Sequence, residues 1–329
     1  MKPNAPKIDP RGFILVVVLG AVVILAAVLF GFHHTVQAKL GTVHSFYRVE
    51  QASNCARAGL NVAVAAVRTT EDLCQDSRFS KLVTGEVPVA VAEGTCTVTI
   101  VEENGFLNVN RLKRETGELD RTRIDQLLRL IDLLNRQKPD APRIEYGIVP
   151  AIIDWTDRDD DLTHLPFVQR DNLGAEADYY GTLDPPRRCR NGPVDVIDEL
   201  RPVKGMTPGA LARLRDSLTA FGDGKVNINA APKLVLESLS EQMNPAVIQM
   251  ILNRRQLKPF TSINELREVP GMTDNLYLAI KDTITTGQKE RYYRVLSCGT
   301  VGDLSITVEA VLRRNTQAGS VDIIQYREP

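Results

Sequence analysis

Residues 13–32 read FILVVVLGAVVILAAVLFGF and contain no charged side chain. As a helix, a stretch of this length extends about 30 Å, which matches the hydrocarbon thickness of a bilayer. Lys2, Lys7 and Arg11 precede it. A cleaved secretory signal would have a shorter apolar core followed by a small-x-small site, and neither is present. The stretch therefore predicts a membrane-spanning helix near the start of the chain.

The helical pattern continues beyond this apolar stretch. Val36, Leu40, Val43 and Tyr47 follow a 4-3-4 spacing that places them on one face of a helix, and the stripe extends toward Val67. No proline interrupts the region. We therefore predict one helix of roughly 50 residues that leaves the bilayer and becomes amphipathic. An anchor followed by a separate soluble helix is the alternative.

Strand patterns follow the helix and return at the end of the chain. Residues 95–101 (TCTVTIV) alternate polar and apolar side chains, and Glu103-Asn104-Gly105 offers a turn before FLNVN at 106–110, which predicts a β-hairpin. The later segments YYRVLSC, LSITVEAVLRR and VDIIQY begin at residues 292, 304 and 321. Together these segments predict a small antiparallel sheet that packs on the long helix.

Long helical patterns separate the two groups of strands. Strands, then helices, then strands within one soluble body indicate an α+β fold, with a large all-α domain inserted between the second and third strands. The chain is long enough for several domains. The predicted parts are a leader (1–12), a transmembrane and spine helix (13–68), a β-sheet domain (69–110 and 286–329) and the inserted helical domain (111–285).

One short phrase occurs twice in the predicted helical domain. IDELRPVKGMT at 197–207 and INELREVPGMT at 263–273 share eight of eleven residues. The phrase is typical of a helix, a tight turn at glycine, and a second helix that begins at a capping threonine. It therefore predicts two helical hairpins, at about 194–218 and 226–281.

Helical hairpins of this kind also bind the phosphates of DNA through backbone amides of a Gly-x-Gly turn. Here the turns read Gly-Met-Thr and lack the second glycine. Residues 193–285 contain 11 Lys or Arg and 11 Asp or Glu, whereas a module that depends on phosphate attraction is clearly basic. The repeat is therefore interpreted as a packing unit, and nucleic acid is not an expected partner.

Catalytic motifs are absent from the sequence. It has no Gly-x-Ser-x-Gly, no phosphate-binding Gly-Lys-Ser/Thr loop and no His-Glu-x-x-His. Cys189 lies between two arginines, which lower the pKa of a thiol, but no histidine accompanies it. We expect a protein that is not an enzyme. A disulfide between Cys74 and Cys96 is left open.

Acidic residues concentrate between positions 154 and 178. Calcium requires six to eight oxygen ligands, partly carboxylates, on a loop able to surround it. An EF-hand beginning at Asp157 would require Gly at 162 and Glu at 168, where the chain has Leu162 and Val168. A solvated acidic loop is the alternative. The candidate calcium ligands are Asp157, Asp159, Asp160, Asp161, Glu176 and Asp178.

Six blocks stand in a characteristic order along the chain: RGFILVVV, IIDWTDRDDD, GAEADYYGTLDPP, VDVIDELRPVKGMTP, VNINAAPKLVLESL and FTSINELREVPGM. In this order they resemble the minor pseudopilin K family of type II secretion systems. Arg11-Gly12-Phe13 is similar to a type IV pilin-like leader. Most pilin-like subunits carry glutamate at the fifth mature position and K-type members lack it; here that position is Val17.

The resemblance implies a pilin-like sheet and spine, and calcium bound in the helical domain. It also implies a single-pass inner-membrane precursor, cut by prepilin peptidase between Gly12 and Phe13 and then N-methylated, with its soluble domain in the periplasm. Such a subunit caps the tip of the pseudopilus and helps to initiate its assembly for protein export across the outer membrane. Expected partners are the I-type and J-type minor pseudopilins, other pseudopilins, the inner-membrane assembly platform and exported substrates.

Two other functions are kept as alternatives. One is a membrane-anchored helix-hairpin-helix protein that binds DNA during uptake, because the VNINAAPKLVLESL and FTSINELREVPGM blocks also resemble that module. The other is a minor pilin of a type IV pilus, which shares the pilin-like leader. The balanced charge of the hairpins argues against the first alternative.

Overall fold

The computed structural model describes residues 10–70, 88–91 and 94–328. Its first element, helix α1 (Pro10–Thr69), continues for 60 residues without a break. The anchor and the spine are therefore one helix, as the sequence predicts. Among the described residues, one stretch, Ile14–Gln37, is long and apolar enough to cross a membrane, and none of it is buried within the protein.

Seven further α-helices and nine strands follow in the described part of the chain. The helices are α2 (Arg121–Gln137), α3 (Ile148–Thr156), α4 (Ala177–Gly181), α5 (Pro208–Leu214), α6 (Lys233–Ser238), α7 (Pro245–Leu257) and α8 (Asp274–Ile280). The strands are β1 (Val89–Val91), β2 (Gly94–Glu102), β3 (Leu107–Asn108), β4 (Leu218–Thr219), β5 (Val226–Asn227), β6 (Ile284–Thr285), β7 (Glu290–Val301), β8 (Leu304–Asn315) and β9 (Val321–Arg327).

A five-stranded antiparallel sheet packs on the C-terminal half of α1. Its strand order is β1-β2-β7-β8-β9. Alternate side chains of β2, including Cys96 and Val98, are buried with Leu60 of the helix in one apolar cluster. At Gly299 the two layers approach so closely that a Cβ would overlap the backbone of Ala52 and Ala56. This arrangement is the α+β fold predicted from the sequence, with the long helix on the sheet.

The predicted hairpin between residues 95–101 and 106–110 is wrong. Glu103–Gly105 forms a buried 3-10 turn, and β3 then pairs in parallel with β4 instead of returning along β2. The second neighbour of β2 is β7, which comes from the far end of the chain. The FLNVN segment therefore opens the helical body, because the turn before it is held inside the protein.

The helical body has its own core. Ile124, Leu127 and Ile131 on one face of α2 pack into a single apolar cluster with α3 and with both hairpins. This cluster is separate from the one between α1 and the sheet. The domain boundaries given above stay a prediction, since residues 71–87 and 92–93 lie outside the described residues.

The duplicated phrase folds in the same way twice. Gly205 and Gly271 adopt φ values of +78° and +87°, a conformation that favours glycine. Thr207 then caps α5 and Thr273 caps α8, each by accepting a backbone N–H three residues ahead. The segment before the turn is a 3-10 helix in both copies, not an α-helix. The predicted hairpins are thus present, with a tighter first helix.

The repeat extends well beyond the phrase. Each unit opens with an apolar-Asn-apolar-Asn segment whose first two residues form a strand, and the last strand of the unit pairs with that strand in parallel. The second asparagine of this opening segment, which follows the strand, binds the chain just before the phrase and just after the last strand of the unit. In the first unit, the hydrogen bonds join Asn110 to Val194 O at 2.8 Å, Ala220 O at 2.9 Å and Val194 N at 2.8 Å. In the second unit, they join Asn229 to Phe260 O at 2.9 Å, Thr286 O at 3.0 Å and Phe260 N at 2.9 Å.

Candidate functional site

Three carboxylates meet at the C-terminal end of α3. Asp154, Asp157 and Glu176 each offer one oxygen, and these oxygens all lie within 4.8 Å of one another. Asp154 belongs to the last turns of the helix, Asp157 is its C-cap residue, and Glu176 directly precedes α4. The structure thus brings together two predicted calcium ligands, Asp157 and Glu176, with a third carboxylate.

Four oxygens of this cluster are buried and have no hydrogen-bond partner within the described residues. They are Asp154 Oδ2, Asp157 Oδ1, Glu176 Oε1 and Glu176 Oε2. Asp154 is 0% exposed and Glu176 is 6% exposed. Burying a carboxylate oxygen without a partner is costly, and native proteins avoid it unless an ion or a water completes the site. The cluster therefore has the chemistry of a cation site.

A short two-stranded ribbon holds these side chains together. Leu165 N donates to Asn172 O and Gly174 N donates to Thr163 O, each at 2.9 Å. The Thr163 backbone N–H also donates to Asp154 Oδ1 at 3.0 Å. Gly174 lies so close to the Asp154 carboxylate that a Cβ would overlap it. The ribbon thereby delivers Glu176 to the end of α3.

The electrostatics of the cluster are unfavourable without a cation. Burial raises the pKa of Asp154. Burial likewise raises the pKa of Asp157 to about 6, although the Lys113 ammonium opposes the change. The pKa of Glu176 is raised to about 7 by burial, and further by the charges of Asp154 and Asp157. At neutral pH, Asp157 and part of the Glu176 population are therefore ionised, so like charges are held together in a largely buried site.

The other predicted ligands lie outside the three-carboxylate cluster. Asp159 contacts Lys113 Nζ at 3.1 Å, and Asp160 Oδ1 accepts a hydrogen bond from Asn191 Nδ2 at 2.7 Å. Asp161 and Asp178 are exposed. All six ligand assignments stay predictions.

Two residues near the site were not selected from the sequence as ligands. The sequence pattern could have identified Asp154, because its three-residue separation from Asp157 places both residues on one helix face. The Oδ1 atom of Asn191 is another buried oxygen without a partner among the described residues. Its φ is +48°, and the Asn-Gly pair at 191–192 is a pattern typical of such a turn.

The residues present fit a hard divalent cation. Among the described residues, four unpaired buried oxygens belong to the three carboxylates and a fifth belongs to Asn191, and oxygens, partly from carboxylates, are the donors that calcium prefers. A bound ion would be held by Asp154, Asp157 and Glu176, with Asn191 on the adjoining loop. It would neutralise their charges and fix the end of α3 to the ribbon.

A second candidate surface lies on α1 between the sheet and Ile14–Gln37, the stretch that is long and apolar enough to cross a membrane. Leu40, Val43, Phe46 and Tyr47 are all exposed there, with Phe46 71% exposed. They include three members of the stripe predicted from the sequence. Large contiguous apolar faces on one helix are typical of protein–protein contacts. This face, which we call the spine stripe, has the character of a docking surface for another helix.

Several predicted positions are not described fully. Gly12 and Phe13 fall within α1, but their side chains lie outside the described residues. Cys74 also lies outside them, so the disulfide with Cys96 that the sequence leaves open stays open. Cys189 is half-buried, and burial raises its pKa to about 11, which argues against a role as a nucleophile.

Comparison with known proteins places these features in a family. Two family models match, each described as "Type II secretion system (T2SS), protein K", over residues 105–223 and 226–286. A similar curated protein is the type II secretion system protein K of Aeromonas hydrophila, which is 25% identical over 177 residues. That match covers 51% of this chain and 50% of the relative. The chain therefore spans about half the length of the curated relative it matches.

A solved structure has the same fold. It is the crystal structure of the GspK-GspI-GspJ complex from the enterotoxigenic Escherichia coli type 2 secretion system, matched with a TM-score of 0.65. The likeness covers 88% of this chain and 99% of that chain at 20% sequence identity. At this identity the structure supports the fold alone. Because the two family models together match more than half of the chain, it belongs to the type II secretion system protein K family.

Proposed function

We propose that this chain is a minor pseudopilin that caps the tip of a periplasmic pseudopilus and helps to initiate its assembly. The observation that carries the proposal is the spine stripe on α1. An apolar helix face next to a membrane-spanning stretch has no stable place in water. Packing against the helices of neighbouring subunits would bury it, as pilin-like assemblies require.

The shape of the subunit supports the proposed position at the tip. A helical body with its own core joins the sheet, so copies of this chain are poorly suited to stack on one another along a narrow fibre. Val17 also replaces the carboxylate that would pair with a neighbour's amino terminus inside the bilayer, where an unpaired charge is expensive. Both features favour a single terminal copy above smaller subunits.

The proposed partners are the I-type and J-type minor pseudopilins, and the structural neighbour is itself a complex of GspK with GspI and GspJ. The chain would also contact other pseudopilins, the inner-membrane assembly platform and exported proteins. Prepilin peptidase would cut it after Gly12. We place α1 across the inner membrane and the rest of the chain in the periplasm, and assign the protein a structural role, not an enzymatic one.

The proposal includes one calcium ion at Asp154, Asp157 and Glu176. The four unpaired buried oxygens support it, as does the meeting of three carboxylates whose oxygens all lie within 4.8 Å of one another. Such an ion would have a structural role, since buried side chains would hold it and it could not readily pass to a partner protein. It would hold the helical body in one shape while the subunit sits at the tip.

Complex formation in solution tests the proposal. The part of the chain from Val36 onward would be mixed with the soluble parts of an I-type and a J-type minor pseudopilin, and the product weighed by light scattering. A complex with one copy of each subunit is the expected result. A persistent monomer, or self-assembly into fibres, would remove the capping role.

A further inference from the structure

Lys113 places its ammonium group at the edge of the carboxylate cluster. Its Nζ atom lies 2.5 Å from Asp157 Oδ2 and 3.1 Å from Asp159 Oδ2. The Lys113 side chain is 20% exposed and that of Asp157 is 9% exposed, so water screens this pair only weakly. One oxygen of Asp157 thus faces the lysine, whereas Oδ1 is buried without a partner among the described residues.

The lysine belongs to the segment that joins β3 to α2. Lys113 forms an isolated antiparallel bridge with Leu119, and Leu112 O accepts a hydrogen bond from Asp120 N at 2.8 Å. The backbone of this loop is therefore fixed on both sides of the lysine. Its side chain is held against the site by the fold, and it is a built-in part of the cluster.

We infer that Lys113 is an internal counter-cation that shares Asp157 with a bound divalent ion, limits the affinity for that ion and stabilises the site when the ion is absent. This inference rests on the proposed calcium site. Asp154, Asp157 and Glu176 carry three negative charges when ionised, and Asp159 adds a fourth on the exposed side of the lysine. The lysine reduces this total to three. A divalent ion then leaves a single negative charge, which the exposed Asp159 carries in contact with water.

The arrangement has two opposite effects on the protein. Without metal, the ammonium offsets part of the repulsion among the buried carboxylates. With metal, the same ammonium repels the ion across the short width of one carboxylate, at a depth where charge interactions are strong. A lysine that only orients Asp157 as a ligand would have the opposite effect on affinity, since its loss would weaken metal binding.

The substitution Lys113→Met, made in the detergent-solubilised full chain, separates these two roles. Calcium affinity is measured by isothermal titration, and thermal unfolding is followed in excess chelator. We expect the dissociation constant for calcium to fall by about tenfold and the chelator-treated protein to unfold at a lower temperature than wild type. Lys113→Arg should retain the stability of the metal-free protein. The control Lys258→Met removes an exposed lysine from α7's C-terminal end and should change neither quantity.

The outcomes are distinguishable. A folded Lys113→Met protein with unchanged or weaker calcium affinity would overturn the counter-cation role, and the calcium site itself would stand. If the wild-type chain takes up no calcium by titration, the proposed site fails, and the inference fails with it. If Lys113→Met does not fold in chelator, the neutral variant Lys113→Gln supplies the affinity comparison, and a calcium affinity equal to or weaker than wild type's would overturn the inference.

Discussion

Glu103 and Arg294 form an ion pair where the sheet meets the helical body, with Arg294 Nε 2.6 Å from Glu103 Oε1. Their side chains are 3% and 9% exposed. Glu103 Oε2 also accepts a hydrogen bond from Thr219 Oγ1 at 2.7 Å, and Arg294 Nη2 donates to Arg215 O at 3.2 Å. The pair thus ties β7 and the end of β2 to the first repeat unit.

We expect Arg294→Met to destabilise the protein by roughly 3–5 kcal/mol, because it leaves the Glu103 carboxylate buried without its counter-ion. Denaturant unfolding of the soluble part measures the change in the free energy of unfolding. The matched control is Arg313→Met, which breaks an exposed ion pair with Asp322 and should cost at most about 1 kcal/mol. Equal effects from the two substitutions would show that the buried pair has no special structural role.

Asn229→Ala should destabilise the second repeat unit by roughly 2–4 kcal/mol, since it leaves Phe260 N, Phe260 O and Thr286 O without their partner. Hydrogen exchange should show the loss of protection concentrated in residues 226–286. Asn253 lies on an exposed face of α7, and Asn253→Ala is the control, with an expected change within about 0.5 kcal/mol. A small effect for Asn229→Ala would mean that the repeat is held by its apolar core alone.

The stability of the metal-free protein should fall as the pH rises from about 4 to about 7. Asp157 and Glu176 have raised pKa values of about 6 and about 7 in the folded state. Between the ordinary and the raised values the folded state binds more protons than the unfolded state, so the free energy of unfolding decreases with pH. Calcium should restore stability above this range. Thermal unfolding with calcium and with chelator, compared at about pH 5 and about pH 8, should show the larger calcium effect at the higher pH.

Asp154→Asn supplies the control for that measurement. The amide removes one buried negative charge, so we expect the variant to be more stable than wild type in chelator and to lose most of its response to calcium. Asp178→Asn changes an exposed carboxylate and should behave as wild type does. A calcium effect that is the same at both pH values, or that survives in Asp154→Asn, contradicts the assignment of the cluster.

The sequence predicts the elements with strong periodicity and misses contacts between distant segments. The long helix was predictable because its apolar stripe continues for many turns without a proline. The prediction of a hairpin after β2 was wrong because a turn motif does not indicate whether the turn is buried. Glu103 is held by Arg294, which lies near the other end of the chain. No local pattern contains that contact.

The candidate metal site was predictable only in part for the same reason. A run of acidic residues indicates the loop, but not which side chains point inward. Asp159 and Asp160 are adjacent, yet they bind Lys113 and Asn191 respectively. Asp154 is recognised as a candidate ligand only in the folded structure, where the ribbon brings Thr163 N to its carboxylate. The asparagines of the repeat did leave a signal, since LNVN at 107–110 recurs as VNIN at 226–229.

Processing by prepilin peptidase should leave Phe13 as the first residue, with a methylated amino group. The expectation follows from the Arg-Gly-Phe order before the apolar stretch. Mass spectrometry of the membrane-extracted protein, from cells with and without the peptidase, measures the mass of the N-terminal peptide. A chain that retains Met1 in the presence of the peptidase contradicts the pilin-like assignment.

Phe46→Glu should abolish assembly with the I-type and J-type subunits and leave the fold of this chain intact. Phe46 is 71% exposed on the spine stripe, so the change should alter the free energy of unfolding by no more than about 0.5 kcal/mol. A charge placed within a closely packed helix interface would cost several kcal/mol when desolvated. Asn61→Glu introduces the same charge at an exposed polar position of α1 and is the matched control. Light scattering of the mixed subunits should therefore give a complex with Asn61→Glu and separate subunits with Phe46→Glu. Assembly of the Phe46→Glu chain at wild-type affinity would show that its partners bind elsewhere, and the spine stripe would then lose its role as the docking surface.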